Sequence, residues 1–274
     1  MREIPGRVTR RRPCGICGGH SWCLYYENGD AICNRSPNGR PCGNSGGYLY
    51  KKEGHQVQRE EPQIDWGMRC AEWARNMTPA RRSWLEGNLE LPKGATDCLL
   101  LLGYNRDGNG GHYTIPFYDG KGMIIGCHRR YLDGRKLSLG HNGLFVGVHN
   151  NPKDVIYVVE GASDTMALVA SRLTAIGRPS NCTGAPMLAD LLAEYRGTVV
   201  VVGERDERPN GLWPGQTGMV TVADQLRVLL KDRRVITRLP PEGYKDARSW
   251  CIASGFDGAA WTEAMNIRHT NGGR

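Results

Sequence analysis

VIYVVEGASDTMAL (residues 155–168) and TVVVVGERDE (residues 198–207) decide how this chain is read. Each opens on a short run of Val, Ile or Tyr that suits a strand buried on both faces, and each run gives way to glycine and acids. VITRL (235–239) is a third run of the same kind. Between and after them, helices are predicted over residues 163–173, 185–195 and 216–230. Leu188, Leu191, Leu192 and Tyr195 fall at i, i+3, i+4 and i+7 in the second helix. Met219, Val222, Ala223, Leu226 and Leu229 repeat the stripe in the third. Strands alternating with amphipathic helices predict an α/β unit around a mostly parallel central sheet.

In such a sheet, ligands collect beyond the carboxyl ends of the strands. The sequence sets its acids there: Glu160 after VIYVV, Glu204 and Asp206 after TVVVVG, and Asp246 in GYKDARSW (243–250) after the third strand. Two carboxylates ~4 Å apart repel by ~4 kcal/mol at an effective dielectric near 20, so a cluster of four calls for a cation, protons or solvent. An all-oxygen donor set favours Mg2+ or Mn2+, which suits phosphoryl transfer. The competing reading is that the acids cap helices or face water, and Asp164, at the start of a helix, fits a capping role well.

Working back along the chain, HYTIPFYD (112–119) and MIIGCHRRY (123–131), joined by a Gly-rich turn at 119–122, predict a β-hairpin or meander. Residues 66–77, 79–86 and 95–102 precede it as helices. Lys121, Arg129, Arg130, Arg135 and Lys136 stand against one acid, Asp133, in the stretch 121–136. That imbalance suits a groove for phosphates, or else a solvated face.

The amino-terminal part reads differently. In PCGICGGHSWCLYYENGDAIC (13–33), Cys14, Cys17, Cys23 and Cys33 flank a hairpin signal at 27–30, and glycines allow the backbone to turn around an ion. Four thiolates predict a tetrahedral Zn2+ that stabilises a module too small for its own core. Cys14-x-x-Cys17 is the specific half of the pattern; His20 or Cys42 could replace a ligand in the other half. GGYLY (46–50) is a candidate closing strand, and the stretch 35–63 otherwise reads as a linker.

The chain has 274 residues, 39% hydrophobic and 23% charged, which is enough for two or three folded units and unlike a disordered chain. Its formal charge is +8, and residues 1–60 hold ten Lys or Arg against five Asp or Glu. A polyanionic partner, nucleic acid above all, is expected. Ten cysteines without an apolar leader suggest a reducing, cytoplasmic compartment, and no run approaches the ~20 apolar residues of a membrane span.

Taken together, EGASDTMAL, VVVVGERDE and YKD in this order resemble the Toprim domain of bacterial primases, topoisomerases and some nucleases. IPFYDGKGMIIGCHRRYLDGRKLSLGHNGLF (115–145) resembles the basic segment that precedes Toprim in bacterial replicative and phage primases, and the zinc ribbon completes that order. The resemblance implies a zinc ribbon with basic arm over 1–60, an α+β basic region over 61–152 and a Toprim metal-binding domain over 153–274. It implies a primase making short RNA primers on single-stranded DNA from ribonucleoside triphosphates, of phage or other mobile-element type.

Residue by residue, Glu160 resembles the Toprim glutamate, Asp206 the second acid of Asp-x-Asp and Asp246 the later metal-facing aspartate. Arg130 and Lys136 match positions near template or nucleotide phosphates, and Arg129, Arg135 and Lys245 join them as candidate phosphate-binding residues. Glu204 departs from the family's Asp by one methylene, the stretch 208–215 is longer than usual, and the ribbon lacks a second Cys-x-x-Cys. These departures keep a non-catalytic DNA-binding or recombination-mediator protein, or a Toprim nuclease, as alternatives. No G-x-x-x-x-G-K-[ST] loop occurs, so a helicase is expected to be a separate partner.

Overall fold

The computed structural model describes residues 6–20, 23–27, 29–34, 40–41, 47–51, 64–147 and 154–266. Cys42 and most of the linker stretch 35–63 lie outside the described residues. The chain forms two compact units, Met1–Ile64 and Asp65–Arg274.

In the first unit five short strands, β1 (Gly6–Arg7), β2 (Leu24–Tyr25), β3 (Ala31–Cys33), β4 (Arg40–Pro41) and β5 (Tyr48–Tyr50), form an antiparallel sheet in the order β1-β2-β3-β5-β4. The predicted hairpin is β2 and β3, and the closing strand is β5. Its small core consists of Val8, Cys14, Cys23 and Cys33. Among the described residues Cys17, Tyr25 and Tyr50 pack against it, and a core this small is of the kind that a metal held by thiols stabilises.

The second unit begins with α1 (Trp66–Ala74) and α2 (Pro79–Asn88), started by Asp65 and Thr78, whose side chains accept from Met68 and Arg81 N–H. The stretch predicted as a helix over 95–102 is helical only as a single 3-10 turn, Ala95–Cys98. A four-stranded antiparallel meander follows: β6 (Gly103–Asp107), β7 (Gly110–Tyr118), β8 (Ile124–Tyr131) and β9 (Lys136–Gly140). The predicted hairpin forms its middle.

The last sheet contains β10 (Phe145–Val146), β11 (Val155–Glu160), β12 (Thr174–Arg178), β13 (Thr198–Val202) and β14 (Val235–Arg238) in the order β10-β12-β11-β13-β14, parallel apart from β10. Its helices are α3 (Gly161–Ala170), α4 (Ala185–Leu191), α5 (Pro214–Leu229), α6 (Ala247–Ala253) and α7 (Gly258–Ala264). Strand pleating divides the central residues between two cores. Val155, Tyr157, Val159, Val200 and Val202 pack with α3, α6 and Trp261 of α7. Ile156, Val158, Val199 and Val201 pack with α4 and α5.

The first of these cores continues without a break into Leu85, Tyr113 and Phe117, so meander and parallel sheet share one interior. Along α5 the buried stripe is Met219, Val222, Ala223 and Leu226, continuing to Leu230, whereas Leu229 is half exposed. Eleven residues, not ten, bring a helix back to the same side after three turns. Among the described residues no helix is long and apolar enough to cross a membrane.

Candidate metal and nucleic-acid site

In the first unit the sulfurs of Cys14, Cys17, Cys23 and Cys33 all lie within 4.8 Å of one another. Cys17 and Cys23 are 3.8 Å apart, and Cys23 and Cys33 3.9 Å. Zn–S bonds of ~2.3 Å in a tetrahedron give sulfur edges of ~3.8 Å, so the thiols fit a structural zinc ion. The first knuckle is closed by Gly18 N–H donating to Cys14 O and Cys14 N–H to Gly19 O, each at 2.8 Å. Gly18 has φ +67°, a turn that glycine makes without cost. The Gly19 N–H pulls the Cys17 thiol down to about 6, and burial pushes Cys23 up to about 12. His20 is exposed and stands outside this set.

In the second unit the acids gather at the carboxyl ends of three strands. Glu160 is the last residue of β11, and Gly161 behind it, at φ +76°, turns the chain into α3. Glu204 and Asp206 follow β13, where Asp206 Oδ1 accepts from Gly215 N–H at 2.7 Å in the first turn of α5. The loop is fixed by Arg205, whose N–H donates to Lys245 O at 2.7 Å and whose Nε donates to Pro240 O at 2.8 Å. That ladder carries Lys245 Nζ to 3.7 Å from Glu204 Oε2, with Asp246 next in sequence. Asp246 also starts α6 through a capping box with Ser249.

Electrostatics ties these groups together. Burial raises the Glu204 carboxyl to about 7, with Glu160, Asp246 and Asp206 pushing the same way and Lys245 opposing. Burial also raises Glu160, opposed by Arg178 and reinforced by Asp206. Among the described residues only the four thiols form a His, Cys, Asp or Glu group with all ligand atoms within 4.8 Å. No three of the carboxylates are drawn as close together as the thiols are. Their all-oxygen donor set fits a hard divalent cation.

Two members of this site were not identified from sequence. Asp164, read as a helix cap, is buried and accepts from the Arg248 N–H of α6 at 3.3 Å. Burial, then Asp246 and Glu204, hold its carboxyl well above the usual range. Arg178 ends β12, a strand absent from the sequence reading, and its side chain is wholly buried. Its Nη1 donates to Val202 O at 3.0 Å and Val158 O at 3.4 Å, and its Nη2 lies 4.0 Å from Glu160 Oε2. TAIGR has too few apolar residues to announce a central strand, and an arginine at a strand end ordinarily reads as solvated.

The basic residues divide by strand register. Arg130 of β8 pairs with Lys136 of β9. Lys136 keeps an exposed surface, yet desolvation by the surrounding protein, then Arg130, holds it below the ordinary lysine range, while Asp164 and Glu204 pull it back. Burial and Arg248 lower Arg130 likewise. Lys136 and Lys245 thus act on the carboxylates, and Arg130 lies beside Lys136. Arg129, one residue along and so on the other face, pairs with Asp107 at 3.1 Å, which also accepts from Tyr131 Oη. Arg135 closes on Asp133 at 2.7 Å and lies 4.8 Å over the Tyr131 ring. Both are thus engaged away from the acids.

No protein-family model matches the chain, and no curated protein matches it in sequence. Solved structures do. The E. coli primase catalytic core aligns with TM-score 0.55 and 15% identity over 74% of this chain and 79% of that one. The DnaG primase catalytic domain bound to ssDNA aligns with TM-score 0.54 and 14% identity, over 73% and 79% respectively. The zinc-binding and RNA polymerase domains of Aquifex aeolicus primase give TM-score 0.54 and 14% identity, over 73% of this chain and 59% of that one. At such identities the likeness is one of fold: the chain has the architecture of a primase catalytic core.

Proposed function

We propose that this chain is a DNA primase-like nucleotidyltransferase that joins ribonucleotides on a single-stranded DNA template. What supports the reading is the mutual electrostatic influence of Glu160, Glu204, Asp206 and Asp246, with Lys136 and Lys245 acting on them and Arg130 paired with Lys136. An acid set for cations against a basic set for phosphates is what phosphoryl transfer needs, since its catalysis is mostly positioning and electrostatic stabilisation. The fold likeness supports it independently.

In this reading residues 153–274 hold Mg2+ or Mn2+ through the four carboxylates, residues 61–152 supply the phosphate contacts, and residues 1–60 form a zinc ribbon that helps select the template. A bound divalent ion would neutralise phosphate charge and favour the attacking oxygen. The 3′ hydroxyl of one nucleotide attacks the α-phosphorus of the next, the α–β bridging bond breaks, pyrophosphate leaves, and the hydroxyl proton passes to solvent. Arg130 and Lys136 hold the triphosphate against repulsion from the acids. Strand separation falls to a partner helicase.

Glu204 in place of the usual Asp, paired with Lys245, favours a second reading: a zinc-containing protein that binds DNA without chemistry. Incubation with single-stranded DNA, four labelled ribonucleotides and Mg2+ separates the two. Short oligomers made by the wild type and lost in Asp206→Ala and Lys136→Ala support the enzyme. Tight DNA binding with no product from the wild type supports the binding protein.

A further inference from the structure

Arg178 has features that a plain structural arginine lacks. Nε donates to Ser180 O at 3.1 Å and Nη1 to Val158 O within β11 and to Val202 O at the end of β13, so the guanidinium plane is fixed from the backbone. Nη2 is buried yet donates no hydrogen bond, and it faces Glu160 Oε2 at 4.0 Å. A guanidinium stays charged in proteins, so this is a permanent positive charge among carboxylates. Glu160, Glu204 and Asp164 all act on it, with Cys182 behind them. It sits beneath the strand ends where the acids gather, on the one central strand that contributes no acid.

We propose that Arg178 is a resident cation of the carboxylate site: a positioning residue that orients Glu160 and offsets its charge, so that the site stays assembled without a divalent ion and takes one up more weakly. The proposal rests on the reading that these carboxylates bind Mg2+ or Mn2+. The unsatisfied Nη2 donor is the part of the arginine that backbone bracing does not explain, because the other donors already tie the strand ends together. Cation affinity in an oxygen-ligand site follows the charge of its ligands. An internal guanidinium lowers that charge by one and leaves a site tuned to millimolar rather than tighter binding.

The test uses the full-length zinc-loaded protein as wild type, Arg178→Met, Glu160→Gln and the double variant. In buffer free of Mg2+ and Mn2+, thermal and urea unfolding gives a double-mutant cycle. Arg178→Met should be strongly destabilised and Glu160→Gln in the same chain should restore much of the loss, with non-additivity of roughly tenfold or more in the folding constant. Additive effects would overturn the counter-ion role and leave Arg178 as a backbone brace. Should Arg178→Met not fold alone, a folded double variant still supports the proposal and an unfolded one overturns it.

Mn2+ titration, followed by the EPR signal of the free ion, reads the second half. Folded Arg178→Met should bind Mn2+ about tenfold more tightly than the wild type, and its Tm should rise with Mn2+ more steeply. Unchanged or weaker binding would contradict the proposal. Absence of Mn2+ binding by every variant would overturn the metal reading and the affinity claim with it, while the cycle still decides whether Arg178 balances Glu160.

Discussion

With Mg2+ and Mn2+ removed, the stability of the second unit should fall as pH rises from about 5 to 8, and Glu204 should account for much of the fall. Its carboxyl holds a proton up to about 7 in the folded protein, against an ordinary value of 4.5, because it is largely buried among Glu160, Asp246 and Asp206. Between those two values the folded chain binds more protons than the unfolded one, so stability drops with rising pH. The contribution is complete below pH 4.5 and gone once pH has passed 7. A displacement of this size corresponds to roughly 3 kcal/mol at about 1.4 kcal/mol per pH unit. For a unit of this length that is roughly 6 to 12 °C in Tm.

Glu160 and Asp164, also raised, act in the same direction. Thermal melts at pH 5, 6, 7 and 8 in divalent-free buffer should therefore show wild type and Glu204→Gln alike at pH 5 and the variant more stable at pH 8. Added Mg2+ should flatten the wild-type curve. A wild-type Tm that is level or rising over this range, or a Glu204→Gln curve that declines in parallel, would refute the reasoning.

Other outcomes follow from the same geometry. Purified protein should contain about one zinc per chain by atomic absorption, and Cys23→Ser should lose it together with the folded first unit, since Cys14, Cys23 and Cys33 are buried in that unit's described core. Lys136→Ala should reduce primer synthesis at least a hundredfold without lowering Tm. Arg129→Ala should lower Tm by removing the ion pair with Asp107, with DNA binding little changed in a gel-shift assay. Gly161→Ala should cost about 1 kcal/mol for its φ of +76° and, by moving Glu160, weaken Mn2+ binding measured by calorimetry.

What could be read from the sequence follows from how each feature is encoded. VIYVV and TVVVV are buried on both faces, so their apolar runs are continuous and unmistakable. TAIGR, also fully buried, has only Ile176 and Ala175 as side chains for the two cores and does not stand out as a strand. The edge strands GYNRD and KLSLG are partly solvated and mixed in polarity, which hides them. The thiol cluster was legible because hairpin and Cys-x-x-Cys are local signals.

The sorting of basic residues was not legible. Arg129 and Arg130 are neighbours in sequence and opposites in the sheet, and only the register with β9 tells which of them lies beside Lys136. Asp164 and Arg178 depend on burial created by elements far away in the chain, Arg248 in one case and Val202 in the other. A helix-start aspartate and a strand-end arginine look local until those partners are in position.

The central claim is that Glu160, Glu204, Asp206 and Asp246 form one cation site facing Arg130 and Lys136. A crystal soaked in Mn2+ and measured at the manganese edge tests it most directly. The account predicts an anomalous peak bounded by Glu160, Asp206 and Asp246, with Glu204 drawn in from its Lys245 contact. A map with density for zinc at the four cysteines and none among the carboxylates would contradict it.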